Sequence, residues 1–148
     1  MKTAKTLLLI SSTFLLFGCS QATTPTYDYG ESDVVMERSY DEVKDYELTW
    51  EAMFDVDSES YYVYFYSPTC NHCAELKNYI INKALERHDI YFVRGSNQVQ
   101  ISSEPKNTKY AENPGDIWIL GYPSLIKIVE KKCLKNLAGI NQIKGELK

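Results

Sequence analysis

Hydrophobic and polar residues follow two different periods along this chain, and their order predicts an α/β domain. Apolar residues three or four apart favour helix between Val34 and Asp55, with Thr49 as the N-cap of a short helix over Trp50–Phe54. A run of β-forming residues at 61–66 predicts a strand. It is aromatic on both faces, as expected of a strand that other layers cover on both sides.

The pattern that follows predicts a βαβ unit and then a hairpin. A helical stripe spans 74–87 and a second β-run spans 90–93, so the strands on either side of the helix should be parallel. The other predicted elements are a short helix near 109–112, strands at 124–129 and 133–138 with a turn at 130–132, and a last helix at 140–147. This is an α/β fold with a central mixed β-sheet of about four strands flanked by helices.

The start of the chain has the signature of an export signal. An apolar stretch over 7–17, preceded by two lysines, is too short for a comfortable membrane span. The sequence Leu16-Phe17-Gly18-Cys19 resembles the lipobox of bacterial lipoproteins, although Phe17 departs from it. The resemblance implies a lipoprotein signal peptide at 1–18 and lipidation of Cys19, which would anchor the protein to a bacterial membrane from outside the cytoplasm. The alternative is a secreted protein in which Cys19 is incidental.

Charge separates an acidic leader from the rest of the chain. Between Tyr27 and Glu59 there are 12 acidic residues against 2 basic ones, whereas from Ser60 onward 12 basic residues face 8 acidic ones. The composition of residues 19–33 predicts an acidic flexible tether. The folded domain is then expected to span residues 34–148. The sequence lacks a basic patch interleaved with aromatic residues, so nucleic acid is not expected as a partner.

The strongest chemical signal is Cys70-Asn71-His72-Cys73, which comes where a strand ends and a helix begins. The unpaired backbone N–H groups and the dipole of a helix start stabilise a thiolate, which is the reactive form of cysteine. Two cysteines three apart on a helical turn can also close a disulfide. The spacing therefore favours thiol–disulfide exchange. Two alternatives stay open, a metal site completed by further ligands and an inert structural pair.

These features together resemble the thioredoxin family. A strand, a C-x2-C motif at a helix start, a second strand and then Gly121-Tyr122-Pro123-Ser124 before a hairpin cover roughly Trp50 to Lys148. The resemblance implies a thioredoxin-like fold in which the Tyr122–Pro123 bond is cis. It also implies that Tyr122 lends its backbone to bind substrate beside the cysteines.

The resemblance assigns roles within the motif. Cys70 is expected to be the attacking, more exposed thiol and Cys73 the resolving thiol, with exchange passing through a mixed disulfide. His72 and Asn71, between them, are assigned to tuning the redox pair. The chemistry needs no organic cofactor, because the Cys70–Cys73 disulfide itself carries the electrons.

Two departures from the family pattern bear on direction. Many thioredoxins bury an acid on the strand before the motif, whereas the matching residue here is Tyr64, and Thr69 replaces a common aromatic residue. With His72, these departures favour oxidation or isomerisation, whereas small lipoproteins that resemble this chain often act as reductases fed by a membrane electron carrier, so the direction stays open. About six strand residues at ~3.3 Å each separate Cys133 from Pro123, so Cys133 is expected to lie on the order of 20 Å from the pair. It is therefore expected to be a core or edge-strand cysteine and not a third redox thiol.

The leading hypothesis is a membrane-anchored, extracytoplasmic thiol–disulfide oxidoreductase. Its expected partners are thiols and disulfides of exported proteins and a membrane or extracytoplasmic redox partner. One alternative is a non-catalytic accessory or chaperone lipoprotein, similar to bacteriocin-transport accessory proteins. The other is a metal-delivery protein that uses Cys70, Cys73 and His72.

Overall fold

A computed structural model describes residues 37–104 and 106–148 of the chain. Its core is one five-stranded sheet with helices on its faces. The strands are β1 (Glu47–Leu48), β2 (Ser60–Tyr66), β3 (Ile90–Arg94), β4 (Ser124–Val129) and β5 (Lys132–Ala138). The α-helices are α1 (Asn71–Arg87) and α2 (Ile140–Glu146), and short 3-10 helices span Tyr40–Tyr46, Glu51–Phe54 and Pro114–Asp116.

The sheet is mixed, with the strand order β1-β3-β2-β4-β5. Strands β1 and β2 both pair in parallel with β3, while β4 is antiparallel to β2 and β5 is antiparallel to β4. The predicted α/β class, the βαβ unit and the final hairpin are confirmed. The sheet has five strands where about four were expected, because β1 is only two residues long and leaves no period in the sequence.

Strand β2 is central, and the structure buries both of its faces. Successive side chains of a strand point to opposite faces, so the run divides into two alternating sets. Tyr62, Tyr64 and Tyr66 pack with α1 and α2, in what we call the α1-side cluster. Tyr61, Val63 and Phe65 pack in the opposite cluster, whose other members include Trp50, Met53, Ile117, Ile119, Ile128 and Cys133.

The segment before β2 differs from the single helical pattern that its spacing predicts. The 3-10 helix Tyr40–Tyr46 begins with a capping box, in which Ser39 Oγ accepts from Asp41 N and Glu42 Oε1 accepts from Ser39 N. It has a kink at Val43, and the chain then becomes the extended strand β1. A second short helix follows at Glu51–Phe54.

The predicted cap of that second helix is displaced by one residue. Trp50 has helical backbone angles and is the N-cap, instead of Thr49. Thr49 still contributes, because its Oγ1 accepts a long 3.4 Å hydrogen bond from Ala52 N. The helix therefore keeps a side-chain acceptor near its first free N–H groups.

Helix α1 begins at Asn71, three residues earlier than predicted, because Cys70 itself caps it. Its buried residues repeat at helical spacing and form the side that packs on the sheet: Cys73, Leu76, Ile80, Ile81 and Ala84. The helix ends at His88, which adopts the left-handed conformation and donates its N–H to Ala84 O. Within the described ranges, no helix is both long and apolar enough to cross a membrane.

The predicted helix near 109–112 is wrong. That segment instead runs beside β5, where Tyr110 N donates to Cys133 O at 2.7 Å and Cys133 N donates to Ala111 O at 2.9 Å. These bonds satisfy backbone groups at the outer edge of the sheet, which local helix would have left unpaired. The short 3-10 helix lies just beyond, at Pro114–Asp116, and has proline in its first turn.

Candidate active site

The two thiols of the motif meet at the N-terminus of α1. Cys70 has extended backbone angles (φ −91°, ψ 116°), and its Sγ accepts a 3.2 Å hydrogen bond from Cys73 N. The preceding Ser67-Pro68-Thr69 turn is closed by a 3.1 Å bond from Cys70 N to Ser67 O. The Cys70 sulfur thus lies at the helix N-cap, where a backbone N–H and the helix dipole both stabilise negative charge.

The two sulfur atoms are close enough to exchange a bond. Cys73 Sγ lies 2.6 Å from Cys70 Sγ, and both residues are free thiols. A disulfide needs about 2.05 Å, so joining the two atoms requires only a small side-chain movement. This geometry suits a pair that cycles between dithiol and disulfide.

The two thiols differ in access to solvent. Cys70 is half-buried, whereas Cys73 is 1% exposed. Burial, with a smaller effect of the neighbouring Cys70 sulfur, raises the pKa of Cys73 to about 12. An incoming disulfide therefore meets Cys70 first, and Cys73 remains a neutral thiol until its partner sulfur has reacted.

The loop before β4 forms the next wall of the site. The Tyr122–Pro123 peptide is cis, and the carbonyl of Tyr122 accepts a 3.4 Å hydrogen bond from Cys70 Sγ. Pro123 is buried, and its carbonyl accepts from Gly139 N at 2.9 Å. The backbone of Tyr122 therefore lies beside the attacking sulfur, where the resemblance places substrate binding.

The side chain of Tyr122 packs against the β3 end of the sheet. A Cβ added to Gly95 would lie 2.8 Å from the Tyr122 hydroxyl, so glycine is the residue that permits this approach. Gly95 N also donates to Tyr66 O at 2.7 Å, which fixes the backbone beneath the ring. Burial raises the pKa of Tyr122, which keeps the phenol neutral.

The residues between the two thiols are exposed. Asn71 and His72 lie in the first turn of α1, and His72 lines a cleft of about 520 Å³ between that turn and the start of α2. Glu75 and Lys144 also line the cleft, so it presents both signs of charge next to the thiol pair. The cleft therefore reaches the helix turn that carries both cysteines.

The described residues give no support to a metal centre. Within 37–104 and 106–148, no group of three or more His, Cys, Asp and Glu side chains comes together in a way that could hold a metal ion. The predicted lipidation site Cys19, the signal peptide 1–18 and the tether 19–33 all lie outside the described residues.

Two tyrosines near Cys73 were not predicted as site residues. Tyr64, on β2, is fully buried, and Tyr40 stacks on Tyr66 with ring centroids 3.9 Å apart. Both hydroxyls are buried without a hydrogen-bond partner among the described residues. Burial raises the pKa of Tyr40 to about 12 and that of Tyr64 still further, and Cys73 lies near enough to add to both shifts.

Tyr40 is held in place by the segment in front of it. Arg38 N donates to Asn78 Oδ1 at 2.9 Å and Arg38 Nε donates to Asn82 Oδ1 at 2.8 Å. Glu37 pairs with Lys77 at 2.9 Å. These contacts hold residues 37–40 along the outside of α1. The two partners of Arg38, Asn78 and Asn82, lie about one helix turn apart on that helix. Nothing local in the sequence signals this contact, since its partners lie some 40 positions apart.

Cys133 lies on the other side of the sheet. It is fully buried in the opposite cluster, and its Sγ donates to Lys135 O at 3.4 Å. Burial raises its pKa to about 11. It is therefore a core cysteine, as predicted, since the redox pair belongs to the α1-side cluster.

No protein-family model matches the sequence, and no curated protein matches it. Among solved structures, the fold is similar to that of thioredoxin f2 of Chlamydomonas reinhardtii, with 16% identity and a TM-score of 0.44. The likeness covers 68% of this chain and 88% of the thioredoxin f2 chain. Mitochondrial thioredoxin 3 of Saccharomyces cerevisiae in its oxidized form (13% identity, TM-score 0.44) has the same coverage.

A third solved structure, Fasciola hepatica thioredoxin, is 16% identical with a TM-score of 0.38 over 60% of this chain and 75% of that chain. These likenesses concern the fold. The predicted thioredoxin-like architecture is confirmed by the strand order, the position of the cysteine pair and the cis-proline of this chain itself.

Proposed function

We propose that this protein is a thiol–disulfide oxidoreductase that works outside the cytoplasm, anchored to a bacterial membrane through lipidated Cys19. The single observation that carries the chemistry is the pair of sulfurs 2.6 Å apart at the start of α1, with Cys70 accessible and Cys73 buried. Support for the anchor comes from the sequence 16–19 and the apolar stretch before it. Exported proteins that contain thiols or disulfides are its proposed clients, because disulfides persist outside the reducing cytosol.

The reaction divides into two displacements at sulfur. The Cys70 thiolate attacks one sulfur of a client disulfide, forming a mixed disulfide and releasing the other client sulfur as a thiolate. The Cys73 thiolate then attacks Cys70 Sγ, the Cys70–Cys73 bond forms and the first client sulfur leaves with its electron pair. Two electrons pass from the dithiol to the client, whose thiolates take protons from solvent. The same steps in reverse oxidise a client dithiol.

The surroundings of Cys70 support binding of an extended client segment. The Tyr122 carbonyl oxygen lies 3.4 Å from Cys70 Sγ, and His72, two residues after Cys70, lines the cleft together with Lys144. A backbone segment of the client can pair with Tyr122 while its neighbouring side chains occupy the cleft. Such binding holds a client sulfur next to Cys70 without requiring a defined client sequence.

The direction of electron flow follows from the reduction potential of the pair. The measurement is redox equilibrium of the Cys70–Cys73 pair with glutathione, read by mass after alkylation of free thiols. A potential near ~−120 mV would make the protein an oxidant, consistent with His72 between the thiols, whereas one near ~−270 mV would make it a reductase that requires a membrane electron donor. A pair that never equilibrates with glutathione would contradict the proposal.

A matched pair of variants tests whether exchange depends on the site. Cys70→Ser is expected to abolish exchange with a peptide disulfide, because no accessible thiol remains at the helix N-terminus. Cys133→Ser, which changes a thiol buried in the opposite cluster, should retain exchange. Full exchange by Cys70→Ser would exclude the proposed chemistry.

The cleft beside the pair favours one second candidate, an accessory protein that holds exported peptides without changing their disulfides. This function predicts that the wild-type protein holds a cysteine-free peptide yet leaves the disulfide of a cysteine-containing peptide unchanged. The metal-delivery alternative predicts stoichiometric binding of zinc by the reduced protein. Neither result is expected from an oxidoreductase.

A further inference from the structure

The buried hydroxyls of Tyr40 and Tyr64 are the least satisfied polar groups of the described chain. Each is shielded from solvent and lacks a hydrogen-bond partner among the described residues. A buried hydroxyl without a partner costs free energy, and phenylalanine in either place would remove that cost with almost the same shape. Packing alone therefore gives no reason for these two oxygens.

Both tyrosines pack in the cluster that surrounds the resolving thiol, and in the dithiol state neither hydroxyl is hydrogen-bonded to it. Tyr64 and Cys73 belong to the α1-side cluster, and Tyr40 packs against it from the N-terminal segment. The Tyr64 hydroxyl is near enough to Cys73 to lower the pKa of that thiol, against the larger upward effect of burial. The two hydroxyls also influence each other. The buried or half-buried titratable groups that interact with Cys73 are Cys70, Tyr64, Tyr40 and Tyr122, whereas His72 and Glu75 of the same helix are exposed to solvent.

This arrangement meets a need of the proposed reaction. Cys73 must become a thiolate to attack the mixed disulfide, yet it lies in a dry, apolar place that disfavours negative charge. A phenol whose own pKa is raised stays protonated and cannot act as a base near neutral pH. It can, however, donate a hydrogen bond to a sulfur anion.

We propose that Tyr64 and Tyr40 form a donor pair for the Cys73 thiolate, an inference that rests on the proposed oxidoreductase function. The Tyr64 O–H donates to Cys73 Sγ when that sulfur is negative, and the Tyr40 O–H donates to the Tyr64 oxygen and strengthens that bond. The proton of Cys73 passes to solvent before the attack. The Cys70–Cys73 bond then forms, the bond from Cys70 to the client sulfur breaks, and the client sulfur leaves with the electron pair.

The donor pair accounts for the unpartnered hydroxyls of the dithiol state. A neutral thiol is a weak acceptor, so the phenols gain little while Cys73 is protonated. They gain a charge-assisted hydrogen bond once the proton has left. The stabilisation therefore falls on the ionised form that attacks the mixed disulfide and not on the resting thiol.

The test separates the two displacements with 5,5′-dithiobis(2-nitrobenzoate), added in excess to the reduced full chain carrying Cys19→Ser. Attack by Cys70 releases one thionitrobenzoate in a phase whose rate rises with reagent concentration. Attack by Cys73 on the resulting mixed disulfide releases a second in a phase that is independent of concentration. Stopped-flow absorbance from pH 6 to pH 9 follows both phases.

Tyr64→Phe is expected to slow the second phase about fivefold at neutral pH, the effect of losing one ordinary hydrogen bond, and to leave the first phase unchanged. The pH profile of the second phase should move to higher pH. The urea midpoint of the reduced protein should rise, because an unpaired buried hydroxyl is gone. Tyr40→Phe should show the same changes at smaller size and gives a second readout if Tyr64→Phe folds poorly.

Tyr61→Phe is the matched control, because Tyr61 lies on the same strand but faces the opposite cluster. Its hydroxyl donates to Met53 O at 2.8 Å, so its loss should lower the urea midpoint and change neither phase. An unchanged second phase and pH profile in both Tyr64→Phe and Tyr40→Phe would overturn the donor pair while leaving the proposed function intact. A wild-type chain that shows neither phase would overturn both.

Discussion

Cys73 and Cys133 are alike in burial but differ in what surrounds them. Cys73 is 1% exposed and Cys133 is 0% exposed, and burial is the main cause that raises the pKa of each thiol, to about 12 and about 11. Cys73 has a second sulfur at 2.6 Å, whereas Cys133 lies on the opposite side of the sheet from the other two described cysteines and donates to Lys135 O at 3.4 Å.

The comparison teaches that burial alone does not make a thiol inert or active. Burial makes both thiols poor nucleophiles toward reagents in solution. In the proposed reaction, the neighbouring Cys70 gives Cys73 a target that becomes reactive only after a client has bound. A buried thiol without such a neighbour contributes packing, as a small apolar side chain would.

The largest expected difference between the two cysteines is in the fate of the mixed disulfide. Cys73→Ser should trap a long-lived disulfide between Cys70 and a peptide, because the resolving thiol is gone. Cys133→Ser should release the peptide at the wild-type rate and lose about 1–3 kcal/mol of unfolding free energy through a buried hydroxyl. Mass spectrometry of the trapped species and urea unfolding measure the two effects. Trapping by Cys133→Ser would contradict the comparison.

A smaller effect is expected in how the unfolding free energy depends on pH, where burial of Cys133 should make the wild type differ from Cys133→Ser. The reduced unfolded chain ionises its cysteines near 9.0, while the pKa of folded Cys133 is about 11. Between these values the unfolded state binds fewer protons, so unfolding free energy falls as pH rises from about 9 to about 11. One such group contributes at most about 1.4 kcal/mol per pH unit.

Cys133→Ser removes this contribution, so its unfolding free energy should fall less steeply than that of the wild type between pH 9 and pH 10. Urea unfolding in the presence of a reductant at each pH provides the measurement. Parallel curves for the two proteins would show that burial does not hold Cys133 protonated.

The smallest expected effect is that of a substitution at Gly95, which lies against the Tyr122 ring. Gly95→Ala places a methyl group 2.8 Å from the Tyr122 hydroxyl and 3.2 Å from Tyr66 O, so the Tyr122 ring must move. Stability should fall by about 1 kcal/mol. The KM for a peptide disulfide should rise while reaction with a small reagent stays unchanged. Gly115→Ala, where a Cβ meets nothing within 4 Å, is the control.

Local sequence patterns predict most of the fold and the thiol pair. Strand β2, helix α1, strand β3 and the final hairpin each have a clear period or a breaking residue at their ends. The cysteines and the residues before β4 mark the site because their spacing and position relative to these elements are local. The predicted bounds of these strands and helices differ from the observed bounds by a few residues. For α1 the reason is that Cys70 caps the helix in place of a residue further along.

The parts that the sequence does not predict depend on contacts between distant segments. β1 exists because Glu47 and Leu48 meet Phe92 and Val93, not because of any pattern of their own. The segment near Tyr110 is extended because Cys133 offers it backbone partners. Tyr40 reaches the site through its packing on Tyr66 and through the contacts of Arg38 with α1. Tertiary pairing decides all three.

The two hydrogen bonds between Arg38 and α1 also bear on how far the chain can be trimmed. They join Arg38 to Asn78 and Asn82, so a fragment that starts after Tyr40 loses both of them. It also loses one of the two tyrosines whose hydroxyls lack a partner among the described residues, while it keeps both cysteines. The residues that surround the thiol pair therefore extend to Tyr40, thirty positions before the first thiol and outside the segment that a motif search would select.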